Sequence, residues 1–174
     1  YGLERRQIAF CFSHTHSGPV LGRNLAPLHY FLVDDRQRAL IDEYVEFLKP
    51  RVLQIAGQAL KNLEPSELSW GNGLATFAVN RRNNIAADVP SLRTQGALKG
   101  PHDHAVPVLG IRNRQGKLAA VLFGYACHAT VLSDYQWCGD YPGYAQEYLE
   151  AAHPGCVALF WAGCGADQNP LPRR

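Results

Sequence analysis

Three apolar runs in this chain are each long enough for one β-strand, and each empties into a turn dense with histidine, glycine and polar side chains. Residues 7–13 (QIAFCFS) lead into His14-Thr15-His16-Ser17-Gly18-Pro19. Residues 120–127 (AVLFGYAC) lead into His128-Ala129-Thr130, and residues 156–163 (CVALFWAG) into Cys164-Gly165-Ala166-Asp167-Gln168-Asn169-Pro170. Open α/β sheets bind ligands at the carboxyl ends of their strands, so three such strand ends predict one shared pocket.

The intervening sequence supplies the rest of such a fold. Leu40, Ile41, Tyr44, Leu48, Val52, Ile55, Ala59 and Leu63 recur at helical spacing, which predicts a helix over 34–63 capped by Asp34 or Asp35. Pro50 lacks a backbone donor and is expected to kink or split it. Residues 66–80 read as one or two strands around Gly71-Asn72-Gly73, and residues 82–105 as a long surface loop. Residues 106–111 and 118–125, joined across Asn113-Arg114-Gln115-Gly116-Lys117, read as a β-hairpin. Asp140 is placed to cap a helix starting near Tyr141 and Pro142, which Pro154-Gly155 ends. Residues 156–161 read as a last buried strand. Strands alternating with helices, plus one hairpin, predict an α/β domain with a mixed β-sheet flanked by helices.

Composition excludes several functions. The chain is 47% hydrophobic and 18% charged, a balance that suits a folded core rather than disorder. Its apolar runs fall far short of the roughly 20 residues a membrane-spanning helix needs. Net charge is +2 and the 17 basic residues are scattered. The pairs Arg81–Arg82 and Arg173–Arg174 are too short for a nucleic-acid footprint. Five cysteines, at 11, 127, 138, 156 and 164, include no CxxC pair, so a thiolate zinc knuckle is not expected. Cys11, Cys127 and Cys156 read as small buried hydrophobes, and the spacing does not predict a disulfide. The chain starts at Tyr1, contains no Met and shows no signal peptide, which suits an excised piece and leaves the compartment open.

His14 and His16 are two apart, which in an extended segment places both imidazoles on one face. One imidazole can hold a metal while the other handles protons. His128 closes a buried-type strand: alone it reads as a core histidine, beside His14 as a second ligand. Catalytic zinc takes three protein ligands and leaves a position for water, so a further donor is required. Asp134 and Asp140 are candidates by proximity, although a helix cap explains Asp140 better. His102, Asp103 and His104 read as a solvated turn rather than a ligand cluster, and His29 and His153 have no supporting context. Residues 163–168 form either a tight turn or a cradle of backbone N–H groups for an oxyanion. Arg81 has no special claim from spacing alone.

Taken together, these segments resemble the neutral/alkaline, non-lysosomal ceramidase family. The stretch Phe12-Ser13-His14-Thr15-His16-Ser17-Gly18-Pro19 is similar to its HTHSGP signature, and Asn80-Arg81 to its N-R segment. Residues 103–109 (DHAVPVL) resemble its lead into the central strands. Cys127-His128-Ala129-Thr130 resembles its C-H-x-T segment, and Gly139-Asp140-Tyr141-Pro142-Gly143-Tyr144 its GDxxGY helix start. Residues 163–170 resemble the glycine-rich turn ending in an Asn/Pro pair. The segments run in family order across residues 10–170.

The resemblance implies that residues 1–174 are part of a single zinc-hydrolase catalytic domain. Its implied reaction is cleavage of the N-acyl bond of ceramide to a fatty acid and a sphingoid base by zinc-activated water. His14 and His128 would be zinc ligands, His16 the acid/base partner, and Arg81 the stabiliser of the developing oxyanion. The family's other zinc ligands, a Glu and a Tyr, lie farther along its chain than this sequence extends. This piece alone is therefore expected to hold zinc poorly and to be inactive, with the rest of the domain C-terminal to it. A secreted or periplasmic setting is suggested by the resemblance only. The family's glycine-rich turn carries a serine implicated in catalysis, where this chain has Gln168. Glutamine is no nucleophile, so it is expected to donate hydrogen bonds to substrate or to the turn itself. That change leaves two alternatives: a related metallohydrolase of a non-sphingolipid amide or ester, and a non-catalytic binding lobe of the same fold.

Overall fold

The computed structural model describes residues 1–173, and the chain forms two compact units. One comprises Tyr1–Arg5 and Gly18–Glu64, the other Arg6–Ser17 and Pro65–Arg174.

The first unit is built around helix α1 (Asp35–Lys61). Asp34 caps it, its carboxylate accepting from Gln37 N at 2.8 Å. Of the kink or split expected at Pro50, the split does not occur: the helix runs through it. A proline removes only its own N–H bond, and the rest of a 27-residue ladder holds the helix together. Two tyrosines secure the helix: Tyr30 Oη donates to Asp42 Oδ2 (2.8 Å) and Tyr1 Oη to Leu53 O (2.9 Å). Gly57 is buried, and the Tyr1 ring occupies the space a Cβ there would need.

The second unit holds a mixed four-stranded sheet, confirming the α/β reading. Its order is β1 (Glu67–Leu74), β3 (Ala105–Arg112), β4 (Leu118–Tyr125), β5 (Val157–Ala162). Strands β1, β3 and β4 are antiparallel neighbours, and β5 lies parallel to β4. The β3–β4 hairpin is as predicted, its turn closed by Asn113 N donating to Lys117 O (3.0 Å). Gly71-Asn72-Gly73 makes no turn: β1 runs straight through it, in register with Val106–Val108 of β3. A second, two-stranded ladder pairs β2 (Ala78–Asn80) with β6 (Gln168–Pro170). The predicted last strand is thus followed by one more.

Helix α3 (Asp140–Ala152) makes the crossover from β4 to the parallel β5. It also seals part of the β5 edge. Ala158 N donates to Glu150 Oε1 (2.9 Å) and Gln146 Nε2 donates to Ala158 O (2.7 Å). Residues 7–13, expected as a strand, form none; a 3-10 turn covers Arg5–Gln7 and the rest is irregular. The α3 side chains already occupy the edge groups of Ala158, and Cys11 Sγ takes the N–H of Ala162 (3.1 Å). A backbone ladder would need those same groups.

The expected loop over 82–105 contains a 3-10 turn at Ala86–Asp88 and helix α2 (Val89–Thr94). Val89 is fully buried with Val79 and Leu171, an anchor worth roughly 1.5–3 kcal/mol for a fully buried aliphatic side chain. Ala78, Tyr125 and Cys127 form a buried cluster with Phe77, Tyr141 and Phe160 packed against it. Tyr125 Oη donates to Ala75 O (2.6 Å) and accepts from Ala78 N (3.2 Å), fixing the link between β1 and β2. All five cysteines are free thiols; Cys127 and Cys156 are buried, Cys11 half-buried. Burial pushes the Cys127 thiol up to about 12, which keeps it a hydrophobe rather than a nucleophile.

Candidate functional site

His128 follows the end of β4, and its ring is held through one nitrogen. Nδ1 lies 2.8 Å from Gly165 O and 2.9 Å from Gln168 O, two acceptors, so Nδ1 carries the proton. The main chain is fixed as well, His128 N donating to Gln168 O (3.0 Å). Nε2 is left as a lone pair in the tautomer that ligates metals.

The turn supplying these carbonyls has to be glycine-rich. A Cβ on Gly165 would sit 2.5 Å from Cys127 N, and one on Gly163 3.2 Å from Ala126 N. Its N–H groups are turned inward: Gly163 N donates to Tyr125 O, Gly165 N to Gly163 O and Gln168 N to Gly165 O. Of the two readings of this segment, the tight turn is the one observed for those three donors.

His14 and His16 reach the same place. Their Nε2 atoms are 3.4 Å apart, and the His14 and His128 ring centroids are 4.9 Å apart. His16 and His128 are separated by 6.5 Å. His14 has a left-handed backbone (φ 60°), an uncommon state for a residue with a Cβ. The segment is tied by Thr15 Oγ1 donating to Cys138 O (2.8 Å) and Cys138 N donating to Ser17 O (2.9 Å).

Desolvation lowers the His14 pKa from its ordinary value, with the His128 ring and then Arg81 adding to the effect. Desolvation also lowers that of His16, helped by His14, His128 and Arg173 and opposed by Asp140. Both imidazoles are thus biased toward the neutral, lone-pair form.

Arg81 lies close enough for its charge to be felt at His14. Its backbone is anchored, Arg81 N donating to Asp167 O (2.8 Å). The preceding Asn80 is buried, and its Nδ2 donates to Asp167 Oδ2 (2.9 Å) and Pro101 O (3.0 Å). Gln168 is also buried. Its side-chain Nε2 donates to Pro101 O (2.9 Å), while its carbonyl serves His128.

The other sequence candidates fall elsewhere. His104 Nε2 is bonded to Ala78 O (2.9 Å), and the Asp103 carboxylate accepts from Ala105 N, as suits a structured turn. Asp134 is exposed. Asp140 is not the cap: α3 begins at Asp140, and Gly139 holds the cap position. The Asp140 carboxylate instead takes N–H groups from Val131 (3.2 Å), Leu132 (2.8 Å) and Tyr141 (2.8 Å). Sequence reasoning missed the roles of Asp167, Thr15 and Tyr141, whose contacts are to groups distant in the sequence. The available signal was their place inside or beside the histidine-bearing and glycine-rich segments.

Ser13, His14, Cys127, His128, Ala162, Gly163, Gly165 and Ala166 line a cleft of about 220 Å³. Among the described residues, no group of three or more His, Cys, Asp or Glu side chains is arranged to hold a metal by itself.

No protein-family model matches the sequence, and no curated protein matches it. Solved structures do match. A ceramidase complexed with C2 superposes with a TM-score of 0.64 at 21% identity, covering 91% of this chain and 24% of that one. The neutral ceramidase from Pseudomonas aeruginosa gives 0.56 at 19% identity, covering 79% and 21%. The chain has a neutral ceramidase-like fold. It spans about a quarter or less of the length of those ceramidase chains. The mixed sheet expected from sequence therefore sits within a fold of that kind. No helix among the described residues is long and apolar enough to cross a membrane.

Proposed function

We propose that this chain is part of the catalytic domain of a zinc-dependent amidohydrolase that cleaves the N-acyl amide of ceramide. The observation that carries the reading is the His128 ring, held at Nδ1 by two carbonyls with Nε2 free beside His14. That is the arrangement a metal-ligating histidine needs, and the depressed pKa of His14 favours the neutral ligand form. His14 and His128 would hold the ion, with further donors supplied from outside residues 1–174. When bound, zinc lowers the pKa of a coordinated water toward 7 and polarises the amide carbonyl.

The chain's own residues supply the rest. His16, neutral and 3.4 Å from His14, would accept a proton from the attacking water and return it to the leaving amine nitrogen. The C–N bond breaks, the carboxyl carbon keeps the water oxygen, and the sphingoid amine leaves protonated. Arg81, anchored through Asp167 O, would offset the negative charge that builds on the carbonyl oxygen. Gln168, bonded to Pro101 O, would support the turn that carries His128.

The test is hydrolysis of an N-acyl sphingoid substrate by the full-length protein, with and without a zinc chelator. Fatty acid release that the chelator abolishes supports the proposal. Turnover of another amide or ester, but not of ceramide, moves it to a related metallohydrolase. Absence of any turnover in zinc-loaded protein favours the binding lobe.

A further inference from the structure

We propose that Asp140 is a positioning residue for the histidine cluster, its buried carboxylate fixing the segment after His128 against the His14–His16 segment. The proposal rests on the reading of that cluster as the working site.

Asp140 is 1% exposed and has a left-handed backbone (φ 54°). Burial of a carboxylate is tolerated when it is fully hydrogen-bonded, and backbone strain of this kind persists where surroundings enforce it. The enforcing contacts are specific. Oδ1 accepts from Val131 N and Tyr141 N, and Oδ2 accepts from Leu132 N. Val131 and Leu132 lie three and four residues beyond His128 on a stretch with no regular structure. Tyr141 adds a grip on the other side of His128, its Oη donating to Cys127 O (2.9 Å).

The same entrance to α3 holds the other histidines. Cys138 accepts from Thr15 Oγ1 and donates its N–H to Ser17 O, bracketing His16. Asp140 N in turn reaches Cys138 Sγ (3.3 Å). Residues 138–141 thus join two segments more than a hundred positions apart in sequence. A carboxylate suits the task better than an amide, since both oxygens face N–H donors and an Asn would turn its NH₂ toward one of them.

The experiment compares this chain with Asp140→Ala and Asp140→Asn. Imidazole nitrogen NMR of the metal-free chain reads ring placement, and competition with a chromophoric chelator reads the Zn²⁺ affinity of the full-length protein carrying the same substitutions. In Asp140→Ala the His14, His16 and His128 ring signals should move while those of His29 and His153 stay. Zn²⁺ affinity should fall by roughly 10–100-fold, the usual effect of losing an outer support. Asp140→Asn keeps the Oδ1 bonds and should lose less. Unmoved rings and unchanged affinity in a folded Asp140→Ala would overturn the proposal, as would equal disturbance of all seven histidines. If Asp140→Ala does not fold, Thr15→Val removes one hydroxyl bond of the same grip. It should shift the same rings and weaken Zn²⁺ severalfold, and no change there also overturns the proposal. A wild-type full-length protein that binds no Zn²⁺ defeats the zinc reading, and the metal-free ring spectra then decide the role of Asp140 alone.

Discussion

His14 and His16 show how burial sets chemistry one residue at a time. Both have a pKa lowered from the ordinary 6.5, chiefly by desolvation. The unfolded chain therefore binds protons at these positions at a higher pH than the folded chain. Their contribution to stability is complete above about 6.5 and is lost as pH falls through that value toward the folded pKa. Denaturant unfolding should show stability dropping on the acid side of 6.5, with a shallower drop in His14→Gln and His16→Gln. In the full-length protein, His14→Ala and His128→Ala should each abolish zinc retention, whereas His102→Ala should not, since His102 is exposed on an irregular segment. Metal analysis of the purified variants decides this. His16→Ala should lower kcat by about 10²–10⁴, the range for a general acid–base. Gln168→Ala should lower it far less, because the Gln168 side chain is committed to Pro101 rather than to the histidines. With no nucleophile at Gln168, mass spectrometry of quenched enzyme should find no acyl adduct within residues 1–174.

At the level of elements, the turn between β5 and β6 decides whether the rings are aimed. It carries the carbonyls of Gly165 and Gln168 to His128 and that of Asp167 to Arg81 N. Gly165→Ala would place a Cβ 2.5 Å from Cys127 N, a clash with backbone that only a shift of the turn relieves. The expected loss is roughly 1–3 kcal/mol in unfolding free energy, the usual cost of overpacking, with weakened zinc binding in the same variant. Urea titration together with metal analysis checks both. Element boundaries were readable where periodicity was strong, as in α1 and the β3–β4 hairpin. They were not readable at residues 7–13, whose apolar run met an edge where Glu150 and Gln146 already hold the backbone groups of Ala158. They also failed at 82–105, where polar composition masked a helix anchored by the single buried Val89.

For the whole molecule, one face of the four-stranded sheet is apolar and open to solvent. Leu68, Trp70 and Leu74 of β1 and Val157, Leu159 and Trp161 of β5 are all exposed, Trp70 by 84%. The strand register puts Trp70, Leu109, Leu122 and Leu159 in one row across the sheet. Apolar surface in a continuous row is a liability for association. The isolated chain should therefore bind an apolar fluorescent dye and self-associate in sedimentation. Trp70→Lys with Leu159→Lys should reduce both without loss of helix content. The sequence by itself determined that strands and helices alternate, that β3 and β4 pair, and that His128 and the glycine-rich turn follow strands, because these follow from local periodicity and from residues adjacent in the chain. Only the tertiary structure decided which nitrogen of His128 is free, that Asp140 grips a loop rather than capping a helix, and that Gln168 serves His128 through its carbonyl. Each of those depends on a backbone group brought in from elsewhere in the sequence, and local sequence carries no record of which distant carbonyl or N–H a side chain will meet.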